Sequence, residues 1–412
     1  MRIPLNKNTI GEAEKAAVNA VLDSGRLTMG ERCRAFERAF AGYLGVEHAV
    51  MVNSGSSANL IALFALADPL LPADGALPRR IERGSEVIVP ALTWSTTIWP
   101  VLQAGAKPVF VDCDPGTLQV KPETIEAAIT DATSAIVVVH VLGGAVDVAG
   151  VAEIARRRNL WLFEDTCESL GVAWDGKAVG SFGQLASFSF YFSHHITTIE
   201  GGMVVTNDAR LADLLRALRA HGWVRDLQQG AEIAAGHPDI DPRFLFVTAG
   251  FNVRPTELNA AIGLEQLKRL EGFNASRREV ARRLDAGLAP VAQAGHLTLI
   301  RHDPRVTPAP FGYTVLCRTQ AARDGLRDHL EAAGIETRPV ICGNLARQPA
   351  LAHYDHRVSG ELAGADQVMD RGLYWGTHPD MSGDEVDYVI ATVREFFQMT
   401  RGAAAADHRS LS

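Results

Sequence analysis

The sequence predicts an α/β fold, with a mostly parallel, doubly wound sheet in the first two thirds of the chain and a smaller α+β region after it. Three observations predict it. Short apolar, β-branched runs alternate with amphipathic stretches from about residue 48 to 220. Several of those runs are apolar throughout, the pattern of strands covered on both faces. The chain has 412 residues, 47% hydrophobic and 21% charged, which is the length and balance of a folded protein with a sizeable core.

The predicted strands are His48–Val52, Glu86–Leu92, Lys107–Asp112, Ala135–Val141, Leu160–Asp165, Ala186–Tyr191 and Gly202–Thr206. Amphipathic spacing predicts helices between them at Ser56–Ala67, Thr96–Ala104, Lys121–Thr130, Val148–Arg158 and Ala209–His221. Two stretches interrupt this rhythm. Asp68–Gly84 is rich in proline, glycine and charge and reads as a surface loop; Asp226–Phe246 reads as a long excursion. Helical periodicity returns from Pro255 to about Leu288 as a connector into a second domain, where a strand is expected at Phe311–Arg318 and helices at Gln320–Ala333 and Gly383–Met399. The expected organisation is an N-terminal segment 1–25, a large domain 26–270, a small C-terminal domain 271–400 and a frayed tail 401–412.

Composition excludes several functions. The net charge is −8 and no basic run is interleaved with aromatics, so no nucleic-acid partner is expected. No apolar run reaches about 18 residues and the N-terminus has no apolar core, so neither a membrane span nor a signal peptide is read, and the expected location is the cytoplasm. Cys33, Cys113, Cys167, Cys317 and Cys342 are scattered, which argues against a disulfide framework and a structural zinc site.

Ligands of open parallel sheets bind at the carboxyl ends of the strands, so the residues just beyond each strand carry the candidates. Asn53-Ser54-Gly55-Ser56-Ser57 opens a helix, either as an anion site built from free N–H groups or as an ordinary serine cap. Trp94 follows the second strand and either stacks on a flat ring or belongs to the core. Asp165 ends a strand, where its carboxylate either pairs with a protonated ring nitrogen or caps a helix. The strand through Ser189 then runs into His194, His195 and a Glu200-Gly201-Gly202 turn. Adjacent histidines suggest a metal pair, but no third ligand stands at a regular spacing, and no metal is expected.

Together these segments resemble the DegT/DnrJ/EryC1/StrS sugar aminotransferases, pyridoxal-phosphate enzymes of the aspartate-aminotransferase fold (fold type I). The resemblance runs through Leu27-Thr28-Met29-Gly30, Val52–Ser56, Glu164-Asp165-Thr166-Cys167-Glu168-Ser169, Gly180-Ser181-Phe182-Gly183 and Gly250–Glu257. One departure stands out. In aminotransferases of this family a lysine before the Glu-Gly-Gly turn holds the coenzyme covalently, and here the matching position is His194. The six lysines of the chain are Lys7, Lys15, Lys107, Lys121, Lys177 and Lys268, none of them in that segment.

The histidine-for-lysine exchange resembles two sugar 3-dehydratase branches of the family. One acts on GDP-4-keto-6-deoxy-D-mannose. The other, acting on a CDP-hexulose, carries an iron–sulfur cluster that needs closely spaced cysteines, which this chain lacks. Phe192–Ile196, Ala220–Trp223 and Gly334–Pro339 look like the first branch, whereas Trp375, Thr377 and the length of Asp68–Gly84 depart from it and leave the nucleotide and sugar open. The resemblance implies pyridoxal or pyridoxamine 5′-phosphate as coenzyme, a nucleotide-linked 4-keto-6-deoxy sugar as substrate, L-glutamate as amino donor and a homodimer.

It implies His194 as the base at the coenzyme C4′ and the acid for the leaving C3 hydroxyl. Asp165 then pairs with the ring nitrogen, Trp94 stacks on the ring, and Gly55, Ser56 and Ser189 hold the phosphate. Glu168 lies by the ring hydroxyl. Asn252 reaches the phosphate of the neighbouring subunit. His221 and Arg338 are substrate contacts, or respectively a helix C-terminal residue and a structural ion pair. The rival readings are the iron–sulfur enzyme, a non-catalytic coenzyme-binding homologue, and a different elimination or epimerisation on a nucleotide sugar.

Overall fold

The computed structural model describes residues 1–71, 75 and 77–410, with side chains as far as Met399. Seven strands of the main sheet are β1 (His48–Val52), β2 (Glu86–Pro90), β3 (Lys107–Val111), β4 (Thr133–Val139), β5 (Trp161–Asp165), β6 (Leu185–Ser189) and β7 (Gly202–Thr206). The second sheet contains β8 (Leu297–Leu299), β9 (Gly312–Cys317), β10 (Thr337–Arg338) and β12 (Gly372–Gly376), and β11 (Arg357–Val358) extends the main sheet at its edge.

The main sheet runs β1–β7–β6–β5–β4–β2–β3–β11. Every pairing is parallel except those of β7, which is antiparallel to both β1 and β6. The all-apolar strands are explained by burial on both faces. In β4, Ala135, Val137 and Val139 join one core cluster and Ile136 and Val138 the other. In β1, Val50 and Val52 meet the helix Gly55–Ala67 side, whereas Ala49 and Met51 meet Phe36 and Phe40 of the helix Glu31–Leu44. Phe40 in turn packs edge-on against Phe188 and Phe190.

The second sheet is antiparallel, in the order β8–β9–β12–β10. It packs against the helices Leu270–Gln293, Gln320–Ala332 and Gly383–Ser410. Ile3 pairs with Ile335 and is buried in this second core, so the N-terminal segment crosses to it.

Several expectations are corrected. The helical stretch from Pro255 is two helices, Glu257–Leu267 and Leu270–Gln293. Lys268 and Arg269 form a turn between them, and the Arg269 guanidinium reaches Thr9 O at 2.8 Å and Glu14 Oε1 at 2.9 Å. The helix expected through His221 ends at Arg219: His221 takes a left-handed φ of 63° and donates its N–H to Phe251 O. The excursion Asp226–Phe246 contains the short helix Gly230–Ala235. The tail expected to fray continues as helix through Ser410, in keeping with its run of alanines; Leu411 and Ser412 lie outside the described residues.

In the expected surface loop Asp68–Gly84, Pro72–Asp74 and Ala76 lie outside the described residues. The rest is partly seated, since Ile81 is buried and Arg79 O accepts the Trp161 indole N–H at 2.9 Å. Among the described residues no helix is long and apolar enough to cross a membrane.

Candidate active site

The carboxyl ends of β1, β5 and β6 form the floor of the site. Register aligns Val139 with Asp165, Asp165 with Ser187, and Ser189 and Val52 with Gly202. Asp165 is almost fully buried. Its Oδ2 accepts Asn59 Nδ2 at 2.8 Å and Thr97 Oγ1 at 2.7 Å, and its Oδ1 accepts the Cys167 N–H at 3.1 Å. Asn59 is itself held by Ser187 Oγ at 2.5 Å. Three donors on this carboxylate fix its plane. Sequence reading missed Asn59, Thr97 and Ser187; each is a small polar residue within an apolar helix or strand, which is the one signal they carry.

Beside this floor the helix Gly55–Ala67 begins. Ser54 caps it by accepting the Ser57 N–H at 3.1 Å, and the N–H groups of Gly55 and Ser56 have no acceptor among the described residues. The approach is tight. A Cβ on Gly55 would lie 2.5 Å from Ser189 Cβ, and one on Gly202 would lie 2.3 Å from Ser54 O. Ser56 Oγ meets Thr96 Oγ1 at 3.0 Å. The result is a cluster of N–H and O–H groups at a helix N-terminus, a donor set suited to a phosphate. Trp94 caps the neighbouring helix Ser95–Gln103 and is 54% exposed, so it is not a core residue but an open aromatic face at the strand ends.

The turn between β6 and β7 carries His194 and His195. Half-buried His194 donates its backbone N–H to Tyr191 O at 2.9 Å, and its Nδ1 is buried without a hydrogen-bond partner. Its ring lies edge-on to Phe311 at 5.0 Å. His195 is buried and its Nε2 meets Ala309 O at 2.8 Å, leaving its Nδ1 without a partner. Burial, and after it the positive charge of Arg277, push both imidazoles down to about 3.

His194 and His195 are therefore neutral near pH 7. In the unfolded chain each takes up a proton near its ordinary 6.5. Their stabilisation is thus fully present above about pH 6.5 and drains away as the pH falls toward 3. Urea midpoints at about pH 7.5 and about pH 5 should show an acid loss that becomes shallower in His194→Asn; an unchanged slope would contradict neutral burial of this ring.

Glu168 sits in the turn after β5. Its Oε2 accepts the Leu142 N–H at 3.1 Å, and burial, with the charge of Asp165, raises it to about 7 despite that bond. Behind it lies a pair that sequence reading missed. Glu164 and His140 are fully buried, with Oε2 to Nε2 at 3.1 Å. Glu164 also accepts N–H groups from Gly180, Phe182 and Gly183 at 2.7–2.8 Å. The Gly180-Ser181-Phe182-Gly183 motif is thereby a cradle for Glu164.

The remaining candidates lie further out. Asn252 is exposed, accepts Arg254 Nε at 3.0 Å, and adjoins Val253, whose carbonyl takes the Asn53 N–H. His221 packs against Trp223 at 4.9 Å. Arg338 is exposed and paired with Glu336 Oε1 at 2.6 Å. Among the described residues no cluster of metal-ligating side chains occurs, and the five cysteines are free.

The model of the DegT/DnrJ/EryC1/StrS aminotransferase family matches residues 8–394. The chain is similar to the GDP-4-keto-6-deoxy-D-mannose 3-dehydratase of Yersinia pseudotuberculosis, at 38% identity over 92% of this chain and 94% of that protein. It is also similar to the dTDP-4-dehydro-2,6-dideoxy-D-glucose 3-dehydratase of Saccharopolyspora spinosa, at 36% identity over 92% of this chain and 83% of that one.

Among solved structures, a GDP-4-keto-6-deoxymannose-3-dehydratase with a trapped PLP–glutamate geminal diamine superposes with a TM-score of 0.86 at 35% identity, over 95% of this chain and 100% of that one. A form of that enzyme in which asparagine and lysine replace a consecutive serine and histidine superposes with a TM-score of 0.85 at 34% identity, over 94% of this chain and 100% of that one. With the family model matched over nearly the whole chain, and relatives more than a third identical over more than nine tenths of it, the chain belongs to the DegT/DnrJ/EryC1/StrS aminotransferase family.

Proposed function

We propose that the chain is a pyridoxal/pyridoxamine 5′-phosphate-dependent 3-dehydratase that removes the C3 hydroxyl of a nucleotide-linked 4-keto-6-deoxy sugar, GDP-4-keto-6-deoxy-D-mannose, with L-glutamate as amino donor. The single observation that carries this reading is His194: a neutral imidazole stands where an aminotransferase of the family carries its lysine, while the surrounding cradle is intact. A consecutive serine and histidine were exchanged for asparagine and lysine in the related enzyme, and Ser193-His194 is a dipeptide of the same composition, which supports the reading.

The residues fit the coenzyme. The acceptor-free N–H groups of Gly55 and Ser56, with the Ser189 hydroxyl, suit the phosphate, and only a glycine at 55 leaves room beside Ser189. The open face of Trp94 suits the ring. When bound, the coenzyme supplies the electron sink for the elimination.

Asp165, anchored by three donors, keeps the ring nitrogen protonated. Glu168, raised to about 7, sits by the ring hydroxyl and shares its proton there. His194 takes a proton from C4′ of the coenzyme and delivers it to the departing C3 oxygen of the sugar. No lysine is present to displace the product; its nitrogen, supplied through the coenzyme amine by glutamate, which would leave as 2-oxoglutarate, would depart as ammonia when water hydrolyses the unsaturated amine to the 4-keto sugar. Asn252, exposed on the Gly250–Glu257 segment, serves the phosphate of a second subunit in a homodimer. Arg338 and His221 serve the substrate. Residues 26–270 and 271–400 act as large and small domains of a cytoplasmic enzyme.

The test is to supply the protein with coenzyme, glutamate and GDP-4-keto-6-deoxymannose, with the dTDP- and CDP-linked counterparts in parallel. Ammonia and a 3-deoxy sugar of matching mass are expected with the GDP substrate. A sugar aminated at C4 without ammonia would overturn the reading, and turnover of another nucleotide alone would reassign the substrate.

A further inference from the structure

We propose that Phe311 is the positioning residue of His194, held in place by a strap, Pro308–Phe311, that His195 and Arg277 pin between the two sheets. The proposal rests on the reading of His194 as a base and deepens it.

A catalytic imidazole is ordinarily aimed by a third group that hydrogen-bonds its second ring nitrogen. His194 has no such group: its Nδ1 is buried with no partner, and no hydrogen bond fixes its Nε2 among the described residues. Its ring is instead bounded by aromatic faces, Phe311 at 5.0 Å and 83° and Tyr191 at 5.8 Å and 88°. Two edge-to-face contacts define a ring plane without contributing or accepting a proton.

The strap is unusually well fastened. Ala309 N–H donates to Gly143 O at 3.0 Å and Phe311 N–H to Leu142 O at 3.2 Å. Gly143 has a φ of 86°, and a Cβ there would fall 1.9 Å from Ala309 O, so only glycine admits the strap. The strap carbonyls are taken one after another. Arg278 Nη1 donates to Pro308 O at 3.4 Å and His195 Nε2 to Ala309 O at 2.8 Å. Arg277 Nη1 reaches Pro310 O at 3.4 Å and Phe311 O at 3.3 Å. Thr377 Oγ1 adds a bond to Pro310 O at 3.0 Å.

Arg277 is the telling member. It is 2% exposed, has no carboxylate partner among the described residues, and leaves its Nε unbonded. A buried guanidinium without a counter-ion is costly, and burial pushes it down to about 10. Here it secures the carbonyls beneath Phe311 and sets a positive charge near the two imidazoles. The titratable groups facing His194 are Arg277 from the long helix and His195 and Tyr191 from its own turn; His378 flanks Arg277.

The test compares Phe311→Leu, Phe311→Tyr and Arg277→Met in the holoenzyme, and follows the His194 ring by NMR in histidine-labelled protein, assigned with His194→Asn. Phe311→Leu is expected to lower kcat about 10-fold or more while the KM for glutamate stays within about twofold. Phe311→Tyr is expected to restore most of that loss. Arg277→Met should raise the titration of the His194 ring toward its ordinary range. If Arg277→Met does not fold, the Phe311 pair decides alone. Unchanged kcat in Phe311→Leu, or equal losses in the leucine and tyrosine variants, overturns the proposal. Full dehydration by His194→Asn would instead overturn the reading of His194 as the base, so the two failures are told apart.

Discussion

His194→Lys is expected to acquire a covalent, borohydride-reducible link to the coenzyme and to lose dehydration by about 10²–10⁴-fold, the usual range for removing a positioned acid–base group. The site is prepared for such an amine. Burial and Arg277 hold the imidazole at 194 neutral, and the same surroundings disfavour an ammonium, so a lysine there is a nucleophile near pH 7. Reduction followed by peptide mass mapping should find the coenzyme at position 194 in the variant and nowhere in the parent. A reducible link in the parent, or dehydration by the variant at the parent rate, would refute the role assigned to His194.

Glu164→Ala is expected to destabilise the fold by about 3–5 kcal/mol, because it strips three buried N–H groups and the His140 ring of their acceptor at roughly 1–3 kcal/mol for each unsatisfied group. The carboxylate is fully buried and collects three N–H groups and the His140 ring. Burial opposes its charge, but His140 and the N–H groups outweigh burial and hold it below its ordinary value. That stabilisation is present above about pH 4.5 and is lost as the pH falls through the folded value, so the gap between parent and variant should close in acid. Denaturant midpoints for the two proteins at about pH 7.5 and about pH 4 would measure it. A difference below about 1 kcal/mol at the higher pH would show that the Gly180–Gly183 cradle stands without Glu164.

Much of the frame was legible because burial on both faces leaves continuous apolar runs. The seven strands predicted from β1 to β7 all form, with ends shifted by a few residues. The candidate residues were picked out for the same topological reason: Asp165 and Ser189 end neighbouring strands, and Gly55 packs against Ser189. What escaped was long-range polar contact. Nothing near Glu164 in the sequence announces that His140, 24 residues earlier, will face it. Nothing near His194 announces Phe311 or Arg277. The break at Lys268–Arg269 was hidden because periodicity continues across it and the backbone there stays in the right-handed region. The two helices before β1, Glu12–Ser24 and Glu31–Leu44, do carry a local signal in Gly25 and Gly45, each left-handed at its C-terminus.

The reversed direction of β7 has a bearing on how the chain is made. Its neighbour β1 has no other partner in the sheet, and their pairing joins His48 to Thr206. A nascent chain emerging at about 5–20 residues per second keeps β1 waiting roughly 10–30 s for that partner. Until then an apolar edge stands open beside the ribosome, shielded by little more than the helix Glu31–Leu44 that packs on it. The edge of β1 is closed only when residues up to Thr206 have been made, so the order of synthesis leaves this strand unpaired longer than any other strand in its half of the sheet.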